Sequence, residues 1–195
     1  MNAPVLTINN NISPFPALSV LNYIQSKIGS GALPVLQGEE SNPVLFRIYN
    51  NFALAAGIAD ALNIAMTVYD GSGAGSHTAN SLPASQSWLT VMEHGFGQNS
   101  QITPDLYTRY DGIETAIGGA NTYKPQKGSD GVYGSPNIHA GVSNAGAGYI
   151  EYKSICKPEP STPGGLYNFS ISLIYEYVSW NKNIRRKRNS KRQLF

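Results

Sequence analysis

The 195-residue sequence has a single cysteine, Cys156, and so closes no internal disulfide. It is poor in charge: Asp, Glu, Lys and Arg make up 13% of it, about half the share usual in a soluble domain. No window approaches the ~18 apolar residues of a membrane helix. The opening "MNAPVLTINNNISPF" lacks a basic segment followed by an apolar run, so it does not read as a signal peptide. These absences place the chain in a reducing, cytosol-like compartment. Also missing are a nucleophile elbow, a metalloprotease helix motif and a paired-cysteine metal site. No repeat of 20–50 residues is evident, which argues against a solenoid or propeller.

The isolated reactive residue types point the same way. Cys156 follows a strand-like segment, with Lys153 and Lys157 near enough to lower its pKa, but a lone cysteine beside a strand is expected to pack as a small hydrophobe. His77, His94 and His139 show no metal-ligand spacing. The stretch "GSGAGS" (71–76) lacks the trailing Lys-Ser/Thr of a phosphate loop and reads as a flexible connection. Asp105, Asp111, Glu114 and Asp130 could offer oxygens to calcium, yet they lack the dense spacing of a calcium loop. Asp111 and Asp130 each precede Gly, so turn formation explains them. No catalytic residue, metal or cofactor is expected.

What charge there is divides sharply. Residues 1–181 hold seven Lys and Arg against all twelve Asp and Glu, a balance of −5. The last stretch, "NKNIRRKRNSKRQLF", holds the other seven cations: Lys182, Arg185, Arg186, Lys187, Arg188, Lys191 and Arg192. It has no apolar periodicity and is expected to be a mobile, disordered arm over 182–195. Such an arm neutralises dense negative charge, and binding through it weakens steeply with salt. Four of the seven are Arg, which favours forks on phosphate over point charges. Nucleic acid, an anionic membrane and an acidic protein face are the candidate partners.

The body reads as β. Strands are expected at 4–8, 43–50, 64–71, 87–95, 106–110, 113–117, 137–141 and 148–155, with turn signals at Asp70-Gly71, Asp111-Gly112 and Asp130-Gly131. A short helix is expected at 17–28, and "ALAAGIADALN" (53–63) favours a helical turn or two. The clearest pattern is "LYNFSISLIYEYVSW" (166–180), where Tyr167, Phe169, Ile171, Leu173, Tyr175 and Tyr177 share one face of a long strand. Many short strands before one long one imply an all-β chain: an antiparallel β-sandwich or jelly-roll-like body over 1–181, with one or two short helices.

The polar stretch 95–148 is unusually long for a compact domain, and loops of that size are usually functional. Trp88, Phe96, Tyr107, Tyr110, Tyr123 and Tyr133 lie in or beside it. Aromatic rings there suit a subunit interface or a sugar-binding face. The twelve Tyr and the sparse charge are poor at keeping monomers apart, so self-association is expected.

These features together, with "FRIYNNFALAAGIADALNIAMTVYDG" and the terminal "RRKRNSKR", resemble small virion structural proteins of viruses and phages, whether capsid or capsid-decorating subunits. The resemblance implies a non-enzymatic homo-oligomer, a trimer or a larger shell, assembled in the host cytoplasm into the virion. Its partners would be its own copies, other capsid proteins, and packaged nucleic acid or an anionic membrane held by the arm. Genome-binding arms of this kind are often N-terminal, whereas this one is C-terminal. A lectin-like or receptor-binding β-sandwich using the loop aromatics is the alternative.

Overall fold

The computed structural model describes residues 1–9, 38–70, 87–100, 102–118, 120–161, 169–181 and 184–194. Among these residues every regular element is a strand and none is a helix. The helix expected at 17–28 and the Gly-rich connection at 71–76 lie outside them. The strands are β1 (Leu6–Asn9), β2 (Val44–Asn50), β3 (Leu62–Asp70), β4 (Leu89–Asn99), β5 (Leu106–Arg109), β6 (Thr115–Ile117), β7 (Ala147–Cys156), β8 (Phe169–Asn181) and β9 (Ile184–Leu194).

All strand pairs are antiparallel. One sheet runs β1-β2-β7-β4-β5, with β6 also paired to β4; the other runs β3-β8-β9. Period-two alternation explains which faces are buried. Val44, Phe46 and Ile48 of β2, Ile150 and Tyr152 of β7, and Leu89 and Val91 of β4 face inward. They join Ile64, Met66 and Val68 of β3 and Ile171, Leu173, Tyr175 and Tyr177 of β8 in a single buried cluster fed by both sheets. Each such large apolar side chain contributes about 1.5–3 kcal/mol on burial. Phe46 and Tyr152 stack across the β2–β7 pair with ring centroids 5.4 Å apart.

Several expectations are corrected. Residues 53–63 are not helical: Asn51, Leu54 and Gly57 have φ of 59°, 59° and 74°, left-handed values that no α-helix tolerates. The turn is built by Asn51, whose side chain accepts from Ala55 N (2.9 Å) and donates to Gly141 O (2.8 Å). Segment 137–141 is not a strand but forms one bridge, Ala61 to Ile138, just ahead of β3. Asp70-Gly71 closes no hairpin between β3 and β4, because these strands belong to different sheets. Asp111-Gly112 links β5 to β6, which lie one after the other along β4.

The long polar region also finds its physical account. Beyond β4 and β5 it lays a strap along the free edge of β3: Tyr123 and Met66 exchange backbone hydrogen bonds of 2.8 Å, and Ile64 N donates to Pro136 O at 2.9 Å. The strap saturates an edge that would otherwise pair with a neighbour.

Candidate functional site

Within the basic terminus, residues 184–194 are not a structureless arm. They form β9, paired with β8 in the register Ile174 to Arg192, Tyr175 to Lys191, Val178 to Arg188 and Ser179 to Lys187. The reason is backbone pairing: an edge strand needs no apolar period of its own if a long neighbour supplies its hydrogen bonds. Arg185, Arg186, Lys187, Arg188, Lys191 and Arg192 therefore lie on one edge strand of the three-stranded sheet, while Lys182 is outside the described residues. Alternate positions repeat about every 6.8 Å along a strand. One alternate set holds Arg186, Arg188 and Arg192; the other holds Arg185, Lys187 and Lys191. Cations on an edge strand also oppose edge-to-edge pairing of like copies.

The six aromatic candidates are not gathered on one surface. Trp88 and Tyr123 belong to the core, with exposures of 4% and 3%. Phe96 and Tyr110 flank Lys127, whose Nζ lies 5.5 and 4.3 Å from their ring centroids. The Tyr107 hydroxyl lies 2.9 Å from His94 O and 3.0 Å from Glu151 Oε1, two acceptors for its one proton. Tyr133 is the one of the six that is largely exposed, at 66%. A sugar-stacking platform built from these rings would thus rest on Tyr133 and part of Tyr107.

One charged cluster among the described residues was not anticipated. Arg47 on β2 pairs with Glu151 of β7 (Nε to Oε2, 2.7 Å) and with Asp105 (Nη1 to Oδ2, 2.7 Å). Its guanidinium carbon lies 4.4 Å from the Tyr149 ring centroid and 5.3 Å from that of Tyr107. Tyr149 OH donates to the other Asp105 oxygen. Burial opposes the Arg47 charge, but its bonds to Tyr49, Glu151 and Asp105 prevail and hold its pKa above the ordinary value. Gly95 and Gly97 of β4 make room for the cluster: a Cβ at Gly95 would overlap the Tyr107 ring, and one at Gly97 would overlap the Leu106 carbonyl oxygen. The sequence signal was a lone cation inside the apolar run "PVLFRIYN" and a lone acid inside "GYIEYKSI". A charge in the middle of a buried strand needs a partner.

Glu93 follows the same logic. Its buried carboxylate accepts from Gln126 N (2.7 Å) and Lys127 N (3.0 Å), pinning the strap to β4. Burial pushes its pKa up, against the pull of those two amides. His139 joins two acids, with Nδ1 3.1 Å from Asp60 Oδ2 and Nε2 3.0 Å from Asp130 Oδ2. The bond to Asp60 leads in raising its pKa to about 9. His94 pairs with Asp111 at 2.8 Å, and Arg109 shares that carboxylate at 3.0 Å. His77 lies outside the described residues. Among the described residues no group of three or more His, Cys, Asp or Glu is placed to hold a metal.

Lys153 and Lys157 do not activate Cys156. The residue is 1% exposed, and burial pushes its thiol up to about 12. A thiol of that pKa stays protonated near neutral pH, so it packs as a small apolar group. Asp105, Glu151, Glu93 and Asp60, with His139, cross-link segments far apart in the chain.

No family model and no curated protein matches the chain. Among solved structures it is similar to the sporulation control protein Spo0M from Bacillus subtilis, at 11% identity and a TM-score of 0.23. That alignment covers 80% of this chain and 42% of the Spo0M chain.

Proposed function

We propose that this chain is a non-enzymatic structural subunit whose two sheets form a β-sandwich of jelly-roll type. It self-associates and holds a polyanion, nucleic acid, on its basic C-terminal strand. A virion is the setting that fits the composition, with the body as a shell or decorating subunit. The observation that carries the reading is the concentration of cations on β9, an edge strand, against a body of net −5. A strand presents such charges at a regular repeat, as a phosphate backbone does.

The test replaces Arg186, Arg188 and Arg192 by Gln and measures binding of a labelled single-stranded oligonucleotide by fluorescence anisotropy across a salt series. Neutralisation is preferred to deletion, which would strip β8 of a pairing partner. The wild type should bind with a steep salt dependence. The variant should lose roughly two units of log–log slope, since each phosphate contact on a single strand is worth about 0.7. Equal binding by both proteins, with the variant's thermal midpoint unchanged, overturns the assigned role of β9.

A further inference from the structure

A cleft that the sequence did not reveal lies against β8, the strand that pairs with β9. It has a volume of about 510 Å³ and lies between β8 and the strap. Ile174, Tyr175 and Glu176 line it from β8, Asn63 from β3, and Thr122 and Lys124 from the strap. Ile174 is in register with Arg192, and Glu176 with Ser190. Residues directly opposite on antiparallel strands share a face of the sheet. Positions 188, 190 and 192 therefore continue the face on which Ile174 and Glu176 line the cleft. Lys124 is exposed on the strap side.

We infer that this cleft and β9 form one continuous site for single-stranded nucleic acid, with Lys124 as a phosphate anchor and the cleft as the seat of a base. The inference rests on the polyanion reading of β9 and adds a second wall to it. Three observations converge. The volume falls in the range of small-molecule sites, about 300–1,000 Å³, and so admits a nucleotide. The lining pairs apolar surface from Ile174, Ala65 and Pro136 with polar groups from Asn63, Thr122 and Glu176. A base needs both, a face to stack on and an edge to hydrogen-bond. Asn63 Nδ2 donates to Glu176 Oε2 at 2.8 Å, which orients an amide and a carboxylate as a polar edge within the cleft. Glu176 repels a phosphate at that spot, so the backbone is assigned to the Lys124 and β9 sides and the base to the middle.

A membrane surface fits less well. Docking to lipid calls for exposed apolar side chains beside the cations. Among the described residues the strongly exposed apolar ones include Met1, Ile102, Leu106, Ile113, Val132, Tyr133 and Val142, and none of them lines the cleft.

The experiment compares wild type, Lys124→Gln, Lys124→Arg and the triple Arg→Gln variant of β9. The probe is a labelled oligothymidylate over a salt series, with phosphatidylserine vesicles as competitor. Lys124→Gln should lower the salt slope by about 0.7, the value of one single-strand phosphate contact, and weaken low-salt binding severalfold. Lys124→Arg should restore both. If the β9 variant weakens binding while Lys124→Gln leaves slope and affinity unchanged, the cleft is overturned and the β9 reading stands. If the wild type does not bind the oligonucleotide, both fall. Binding to the vesicles without binding to the oligonucleotide overturns the nucleic-acid assignment in favour of lipid.

Discussion

His139 ties together three places in the chain, because Asp60 and Asp130 each hold one ring nitrogen and Ala140 N donates to the same Asp60 carboxylate at 2.7 Å. Its folded pKa of about 9 lies above the ordinary value of 6.5. A raised imidazole pKa stabilises the fold fully below the unfolded value, and that contribution fades as pH rises toward the folded one. The wild-type melting temperature should therefore fall between pH 6.5 and about 9 relative to a His139→Gln variant, whose side chain bonds but does not titrate. The imidazole is 38% exposed, so solvent screening trims the effect. The two curves should converge by a few degrees across that window, on the order of 1 kcal/mol. Parallel curves from differential scanning fluorimetry would show that the His139 bridge carries no net charge stabilisation. The Arg47 cluster differs at this scale, because its buried ions are all partnered and removing one partner leaves another charge stranded.

Strands were legible in the sequence where alternation was clean. Ile171, Leu173, Tyr175 and Tyr177 are buried as the period of two required, and β2, β4 and β7 lie close to where β-forming runs placed them. Pairing was not legible. β3 joins β8 a hundred residues later, and nothing local to Asp70 encodes that choice. Leu54 misled because apolar spacing carries no information about a left-handed φ, which Asn51 imposes from outside the motif. The site was half legible: the charge of the terminus could be read, but its strand form depends on β8. The glycines of β4 show the same dependence on distant partners. Gly97 lacks a Cβ because β5 and the Tyr149 hydroxyl occupy that space. Gly97→Ala should push β5 from β4 and cost about 1–3 kcal/mol, as overpacking does, read as a lower urea midpoint with unchanged slope. An unaltered midpoint would show that β5 is held loosely enough to yield.

At the scale of the whole molecule the sheet edges divide the labour. The free edge of β3 is covered by the strap, and β9 carries repelling cations. The β5 edge is different: all four of its residues are exposed, and Leu106 (64%), Ile102 (73%) and Ile113 (64%) form an apolar margin around it. Among the described residues no strand pairs with the outer edge of β5, and such an edge flanked by apolar side chains invites pairing with another copy. Self-association, which forms part of the proposed function, is thus expected to run through β5, leaving β9 free for its polyanion. Light scattering on the purified full-length protein, with the 260/280 nm absorbance ratio recorded on the same peak, tests both halves at once. The wild type should elute as an oligomer with excess 260 nm absorbance at low salt. A Leu106→Glu/Ile113→Glu double variant should shift to monomer mass while keeping that excess, because β9 is untouched. A wild type that is monomeric at tens of micromolar would remove self-association from the proposal. An oligomer indifferent to the double variant would move the interface away from β5.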